Sequence, residues 1–223
     1  MTRKIRTFRN MNTKIPKIIH QLWVGDKPIP EHIKEFTDAM PIVNPNYECK
    51  LWGNEVFEKY SDDPFLTNYL KEPELYKWAF ICDRIRCLLL NEIGGIYVDA
   101  DAKPVQSFDL CMNQLGENIT FFTGLKPTQQ NNTLFDCAVY GSAPNSRMIK
   151  NLLATYSDIQ WANGCKIFSD RIIQVIDADV GCFGYEYFYD DKMTDKTIVL
   201  HDVEETRLLS WAWDDEHFRR ENW

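Results

Sequence analysis

The stretch that decides the fold is "KWAFICDRIRCLLLNEIGGIYVDAD", residues 77–101. Its first part has apolar residues at helical spacing and predicts one long helix, from about Leu75 to Asn91. Gly94 and Gly95 predict the end of that helix, because glycine adopts the left-handed conformation of a C-terminal cap without steric cost. The apolar residues of "IYVDAD" then predict a buried strand. A helix that leads directly into a buried strand is typical of an α/β sandwich.

The rest of the chain alternates between strands and helices in the same way. "KIIHQLWVG" (17–25) is apolar on both faces, as in a central parallel strand, and "YECKLWG" (47–53) predicts a second strand. A helix is expected between them, from about Glu31 to Met40. Further strands are predicted at "TFFTG", "FDCAVYGS" and "TIVLHD". These elements predict a single α/β domain with a mostly parallel central sheet over residues 14–223, preceded by a flexible basic arm at residues 1–13.

Composition and charge narrow the classes of function. The 223-residue chain is 44% hydrophobic, which is enough for a sizeable core. Its formal net charge of -8 disfavours nucleic acid or an anionic membrane surface as the main partner. No run approaches the roughly 20 apolar residues of a membrane span, and no secretory signal follows the basic start. The seven cysteines are odd in number and lack a CxxC pair, so reduced thiols and a cytoplasmic location are expected.

Asp99 and Asp101 end the predicted strand and form a candidate metal site. Residues two apart on an extended chain project to the same side, so both carboxylates can bind one ion. Carboxylate oxygens with open positions favour Mg²⁺ or Mn²⁺, ions that are usually shared with phosphate oxygens. The chain has no glycine-rich phosphate loop of the GxGxxG or GxxxxGK[ST] type, so a metal-held diphosphate is expected instead. A solvated acidic turn is the alternative explanation.

Asp83 and Arg86 form a second candidate feature, on the long helix. They lie three residues apart and can pair, on a side of the helix that also contains Ala79, Cys87 and Leu90. Such a pair can be purely structural. Desolvation, however, offsets most of the attraction between charges in apolar surroundings, so a pair that lines a ligand pocket is the favoured interpretation.

The block 77–101 resembles the core of the DXD-containing sugar-nucleotide glycosyltransferases. That group includes capsular-polysaccharide transferases and initiating α-mannosyltransferases, and it is distantly similar to the clostridial glucosylating toxins. "IPKIIHQLWVG" (15–25) and "YECKLW" (47–52) resemble the first two strands of the group, and "HDVEETRLLSW" (201–211) resembles its closing segment. The resemblance implies a GT-A-type, Rossmann-like fold, a nucleotide-sugar donor, Mn²⁺ or Mg²⁺, and retention at the anomeric carbon.

The resemblance also implies roles for individual residues. Trp23 would stack on the nucleobase of the donor. Asp83 and Arg86 would contact the donor sugar and phosphate, with Arg86 stabilising the charge that develops on the leaving diphosphate. Asp99 would contact the ribose and the metal, and Asp101 would bind the metal directly.

Four further residues are assigned in the same way. His201 would be another ligand of the metal or the diphosphate, and Ser210 and Trp211 would close over the diphosphate as part of a C-terminal lid. Asp136 stands where relatives often carry an asparagine. It is therefore a candidate catalytic carboxylate, together with Asp83.

The expected function is metal-dependent, retaining transfer of a hexose to a hydroxyl acceptor, such as a glycan. A UDP-sugar is the favoured donor, with GDP-mannose as an alternative. Peripheral membrane contact through the aromatic and basic C-terminal segment is a further hypothesis. Two other functions stay open: a metal-dependent phosphohydrolase, because "YVDADAKPV" also resembles an aspartate-nucleophile motif, and a non-catalytic nucleotide-sugar-binding module.

Overall fold

The structure is a computed structural model, and it describes residues 13–69, 71, 74–127, 133–155, 164–189 and 193–201. The strands are β1 (Ile18–Leu22), β2 (Glu48–Trp52), β3 (Gly95–Val98), β4 (Lys103–Pro104), β5 (Phe121–Pro127), β6 (Thr133–Ser142), β7 (Val180–Phe183) and β8 (Val199–Leu200). The helices are α1 (Glu31–Val43), α2 (Val56–Lys59), α3 (Pro64–Tyr69), α4 (Glu74–Glu92), α5 (Asp109–Met112), α6 (Arg147–Thr155) and α7 (Gly164–Val175), with a short 3₁₀ helix at Tyr185–Tyr187.

Six strands form the central sheet in the order β2-β1-β3-β6-β5-β7. The pairs β1–β2, β1–β3 and β5–β7 are parallel, whereas β6 is antiparallel to both of its neighbours. Five strands therefore run in one direction and β6 runs in the other. This arrangement confirms the mixed α/β class and the mostly parallel sheet that the sequence predicts.

The connection from α4 to β3 takes the chain directly from a long helix into a central strand of the sheet. Gly94 and Gly95 have φ angles of 72° and 107°, in the region that favours glycine. A Cβ atom on Gly95 would lie 2.6 Å from the carbonyl oxygen of Ile18, so β3 approaches β1 more closely than another residue would allow. The predicted helix and its glycine end are confirmed within one residue at each end.

Two hydrophobic cores lie on opposite faces of the sheet. Ile96 and Val98 of β3 belong to one core, with Met40 of α1. Tyr97, which lies between them in sequence, belongs to the other core, with Ile85 of α4. This alternation fixes α4 on one face of β3, and the residues that follow β3 emerge at the carboxyl edge of the parallel strands.

Some elements differ from the sequence-based expectations. The first helix continues past Met40 to Val43 with Pro41 in its last turn, where the missing proline N–H costs only one intrahelical hydrogen bond. The "TIVLHD" strand pairs with β4 in a separate two-stranded ribbon and is not part of the central sheet. The edge strand β7 was not predicted, because its four residues include a glycine and have little apolar pattern.

Parts of the predicted domain organisation fall outside the described residues. These parts are residues 1–12 of the basic arm and residues 202–223, which contain Ser210 and Trp211. Within the portion of the chain that the structure describes, no helix is long and apolar enough to cross a membrane. All of the cysteines whose side chains are described are free thiols.

Candidate functional site

The two aspartates of the motif lie on a turn that begins where β3 ends. The backbone N–H of Asp99 still donates to the carbonyl of Ala138 on β6, at 2.9 Å. The N–H of Ala102 then donates to the carbonyl of Asp99 at 3.0 Å, which closes the turn around Asp101. The expectation that both carboxylates project from an extended chain is therefore wrong, because the backbone has already left the strand. The turn brings the carboxylates together instead.

His201 reaches the same place through the β4–β8 ribbon. Lys103 of β4 pairs with Leu200 of β8, so the residue after β8 lies beside the residues that precede β4. His201 Nε2 lies 3.3 Å from Asp101 Oδ1 and 3.7 Å from Asp99 Oδ2. One ligand atom from each of these three residues lies within 4.8 Å of the other two. Asp99, Asp101 and His201 are thus close enough together to hold one metal ion.

Burial and mutual repulsion of the Asp99 and Asp101 carboxylates favour a positive charge beside them. Burial and the nearby Asp101 raise the pKa of Asp99 to about 6, although Arg86 and His201 act in the opposite direction. Burial alone would raise the pKa of Asp101, but the charge of His201 outweighs it and lowers that pKa. Burial alone would lower the pKa of His201, but the Asp101 and Asp99 carboxylates raise it to about 9. The histidine is therefore protonated at neutral pH in the metal-free protein.

A divalent cation could supply this positive charge in place of the protonated histidine. Two carboxylate oxygens are ligands that Mg²⁺ and Mn²⁺ prefer, and one imidazole nitrogen favours a transition ion such as Mn²⁺. Nε2 of His201 faces the two carboxylates, whereas its Nδ1 is buried and has no hydrogen-bond partner among the described residues. The three side chains can hold one ion and leave further coordination positions for a ligand.

Arg86 lies beneath this cluster, inside the protein. Its Nη2 donates to the carboxylate of Asp83, and its Nη1 donates to the carbonyl of Cys137 at 3.0 Å. The same Nη1 lies 3.6 Å from Asp99 Oδ1, which also accepts a hydrogen bond from Tyr97 Oη at 2.7 Å. The predicted pairing of Asp83 with Arg86 is present. These contacts hold the Asp83 and Asp99 carboxylates in place from the α4 side.

A bulge in β6 shapes the other side of the site. The pairing of β5 with β6 is irregular between Thr123 and Leu125, where Gly124 alone lies opposite residues 136–139. A Cβ on Gly124 would lie 2.4 Å from the ring of Phe188, so the absence of a side chain lets that ring pack on the strand. Bulges of this kind redirect side chains and are frequent beside active sites. Here the bulge provides the carbonyl groups that bind Arg86 and the Asp99 backbone, and it contains Asp136.

Asp136 is engaged at both carboxylate oxygens. Its Oδ1 accepts the N–H of Ala138 at 2.7 Å, and its Oδ2 lies 3.4 Å from Lys126 Nζ on β5. Burial would raise the pKa of Asp136, but Lys126 and His201 outweigh that effect and lower it. Lys126 was missed in the sequence analysis, because only "TFFTG" was assigned to the strand. Extending that strand to Pro127 would have placed Lys126 near its carboxyl end, beside the predicted site.

Trp23 follows β1 at the same edge of the sheet. Because His20 of β1 pairs in parallel register with Tyr97 of β3, the residues after β1 run alongside Asp99. The indole of Trp23 is half-buried and donates its N–H to the carbonyl of Lys27 at 3.0 Å. Trp23 is therefore not a core aromatic. Trp23 and the aspartates of the cluster therefore follow strands that end at the same edge of the sheet.

Comparisons with known proteins show what the chain as a whole is similar to. Residues 30–122 match the family model described as the glycosyltransferase sugar-binding region containing the DXD motif. An uncharacterized glycosyltransferase of Acanthamoeba polyphaga mimivirus is 27% identical over 219 residues, covering 89% of this chain and 84% of that protein. Inositol phosphoceramide mannosyltransferase 3 of Schizosaccharomyces pombe is 36% identical over 105 residues. That match covers 46% of this chain but only 28% of the yeast protein.

A solved structure supports the same fold. A glycosyltransferase involved in the glycosylation of the major capsid of PBCV-1 aligns with a TM-score of 0.57. The alignment covers 85% of this chain and 94% of that one at 10% sequence identity, so it bears on the fold alone. The fold is of the GT-A type, and the matched region contains α4, β3 and the Asp99–Asp101 motif. Over residues 30–122 the chain is therefore similar to the DXD-containing glycosyltransferases, and along most of its length it is similar to the mimivirus glycosyltransferase.

Proposed function

We propose that the protein transfers a hexose from a nucleotide sugar to a hydroxyl acceptor in a retaining reaction that requires a divalent cation. The main supporting observation is the cluster of Asp99, Asp101 and His201 at the carboxyl edge of the sheet. Trp23 lies at the same edge. In open α/β sheets, ligands bind at this edge.

The donor contacts divide between the base, the diphosphate and the sugar. Trp23 stacks on the nucleobase. Asp99, Asp101 and His201 hold Mn²⁺ or Mg²⁺, with Asp99 also facing the ribose. A bound divalent cation neutralises the charge that develops on the leaving diphosphate, and that electrostatic contribution is usually the largest in such reactions.

Asp83 and Arg86 support the donor from the α4 side. The Asp83 side chain is 16% exposed and contacts hydroxyl groups of the donor sugar. The Arg86 side chain is only 4% exposed, so it acts by holding Asp83 and Asp99 in place and by adding positive potential beneath the diphosphate. Because Arg86 is planar and permanently charged, it can satisfy several acceptors at once.

The chemical step proceeds on one face of the sugar. The acceptor hydroxyl oxygen forms a bond to the anomeric carbon on the face from which the diphosphate leaves, through an oxocarbenium-like state. The bond between the anomeric carbon and the phosphate oxygen breaks, and the hydroxyl proton passes to that oxygen. Asp136 is a poor candidate for a covalent nucleophile, because both of its oxygens are engaged by Ala138 and Lys126.

The donor is a nucleoside diphosphate hexose. A UDP-sugar remains the first candidate, and GDP-mannose is the second because the fission-yeast relative is named as a mannosyltransferase. The acceptor is a hydroxyl group of a glycan or, by analogy with that relative's name, of an inositol-containing lipid headgroup. Closure of Ser210 and Trp211 over the diphosphate and peripheral membrane contact remain predictions, and those residues lie outside the described part of the chain.

The test is a panel of UDP- and GDP-hexoses incubated with the protein, Mn²⁺, and glycan or glycolipid acceptors. We expect one donor to release its nucleoside diphosphate and the sugar to appear on the acceptor with the donor's anomeric configuration, as measured by NMR. Release of inorganic phosphate would instead indicate a phosphohydrolase. Tight donor binding without turnover would indicate a non-catalytic binding module.

A further inference from the structure

The side chains of Arg86 and Lys126 differ in how much of each is exposed at the surface. The Arg86 side chain is 4% exposed, and its guanidinium is directed at Asp83, Asp99 and a backbone carbonyl. The Lys126 side chain is 27% exposed and lies on the opposite side of the site, near the end of β5. An anionic ligand at the mouth of the site can therefore contact Lys126 far more readily than Arg86.

Lys126 lies close to the Asp–His cluster through a shared aromatic neighbour. Its Nζ lies 5.9 Å from the centroid of the Tyr189 ring. The centroid of the His201 ring lies 5.9 Å from that same centroid, in an edge-on arrangement. The charge of Lys126 is also one of the influences that lower the pKa of Asp101. Lys126 and His201 thus pack on the same aromatic ring, which places the lysine in the electrostatic surroundings of the cluster.

Asp136 holds Lys126 in this position. Asp136 is almost completely buried, and the bulge in β6 fixes its orientation through the hydrogen bond from Ala138. Its other oxygen, Oδ2, lies 3.4 Å from Lys126 Nζ. A long, flexible lysine side chain loses much conformational freedom when it is fixed, so a rigid carboxylate partner lowers the cost of presenting the ammonium group to a ligand.

We propose that Lys126 binds the diphosphate of the nucleotide-sugar donor, and that Asp136 is a positioning residue that acts through Lys126. The proposal rests on the proposed function, since it assigns a contact to the same donor. It gives the diphosphate a cation on the β5 side in addition to the ion held by Asp99, Asp101 and His201. It also accounts for a carboxylate at position 136, because an amide there could not form an ion pair with the lysine.

Three variants separate a ligand contact from a structural role: Lys126→Met, Asp136→Asn and the double variant. Lys126→Met removes the charge but leaves Asp136 buried without its partner, which can itself damage the fold. The double variant restores local neutrality, and the asparagine still accepts the Ala138 N–H. Lys17→Met is the matched control, because Lys17 pairs with Asp109 at 2.6 Å but precedes β1, at the opposite edge of the sheet.

The measurement is calorimetric titration of UDP and of GDP in the presence of Mn²⁺, with thermal melting of each variant in parallel. We expect Lys126→Met to weaken binding of the preferred diphosphate roughly 10- to 100-fold, the scale of one hydrogen bond to a charged group. Asp136→Asn should weaken it less, and the double variant should recover at most part of the affinity that Lys126→Met loses, because it removes the unpaired carboxylate but does not replace the lysine contact. Lys17→Met should match the unsubstituted protein.

Other outcomes would overturn the inference or the function separately. If Lys126→Met binds the diphosphate as tightly as the unsubstituted protein, Lys126 is not a ligand contact. If the double variant recovers full affinity, the lysine only neutralises Asp136, and the inference is again wrong. In both cases the proposed function stands. If the unsubstituted protein binds neither UDP nor GDP, the proposed function fails and the inference fails with it.

Discussion

The two sides of the Asp99–Asp101 turn are built in different ways. On the α4 side, Asp83 and Arg86 come from the helix that leads directly into β3, and their charged groups are buried. On the other side, the contributing side chains come from β5, the β6 bulge and the residue after β8, and one of them, Lys126, is more exposed than either member of the α4 pair. One side is a local, rigid support, whereas the other is assembled by long-range strand pairing.

This difference shows how one site can combine buried groups that hold side chains in place with exposed groups that a ligand can reach. The Arg86 guanidinium is almost fully buried and holds the Asp83 and Asp99 carboxylates in place, so that their remaining lone pairs can face a ligand. Partly exposed groups keep surface for a ligand. The predictions below compare the two sides, beginning with the largest expected effect.

Substitution of Asp101, which lies between the two sides, should have the largest effect. We expect Asp101→Asn to lower transfer by at least about a thousandfold, as expected for loss of an ion that stabilises the leaving diphosphate. The fold should persist, because Asp101 is partly exposed. Turnover and Mn²⁺ titration measure the effect, with Asp62→Asn at an exposed turn as the control. Full activity of the unsubstituted protein in excess EDTA would contradict the metal requirement.

Arg86 tests the buried side. We expect Arg86→Met to lower the free energy of unfolding by about 3–5 kcal/mol, because it leaves the buried Asp83 carboxylate without its partner. Mn²⁺ affinity should fall as well, since Asp99 loses a fixed neighbour. Urea unfolding and metal titration below the melting transition measure the two effects.

Arg84→Met is the matched control on the same helix. Arg84 is similarly buried and pairs with Asp63 at 2.7 Å, away from the cluster. It should lose stability but keep its metal affinity. Equal loss of metal affinity in both variants would show that general loosening of α4, and not the Arg86 contact, is responsible.

The pH dependence of metal binding tests the side that is assembled by strand pairing, through His201. Because the pKa of His201 is raised to about 9, its imidazole must lose a proton before it can bind an ion at neutral pH. Apparent Mn²⁺ affinity should rise by up to about tenfold per pH unit between pH 7 and 9 and then level off. In the metal-free protein, the stability contributed by this proton should be present below about pH 6.5 and be lost as the pH rises through about 9.

Calorimetry in buffers of different ionisation enthalpy measures the released proton directly. We expect release of close to one proton per bound ion at pH 7 and a much weaker pH dependence in His201→Gln. Metal affinity that stays constant between pH 7 and 9 in the unsubstituted protein would exclude His201 as a ligand.

Trp23 should give the smallest effect of the four. We expect Trp23→Ala to weaken nucleotide binding by about 1–3 kcal/mol, the range for stacking of a base on an aromatic ring. The loss should be the same for the free nucleoside diphosphate and for the donor, because both contain the base. Trp23→Phe should retain part of the affinity. Unchanged affinity in a folded alanine variant would remove Trp23 from the donor site.

The sequence by itself determined the features that depend on nearby residues. The helical spacing before Asn91, the glycines at 94 and 95, and the apolar run after them predict α4, its end and β3, because helix periodicity and glycine stereochemistry act within a few residues. The pairing of Asp83 with Arg86 follows from the same helical geometry. The motif that carries the resemblance to the DXD-containing glycosyltransferases lies in this segment, so the resemblance is visible without the structure.

Only the tertiary structure decided how the remaining groups meet. The Asp99–Asp101 carboxylates converge through a turn and not through an extended strand, since the backbone hydrogen bonds that shape this turn include one to Ala138. His201 arrives through the pairing of β8 with β4, and Lys126 meets Asp136 across an irregular β5–β6 register. Strand register and bulges depend on which distant segments pair, and the free energy of that pairing comes from contacts absent from any local pattern.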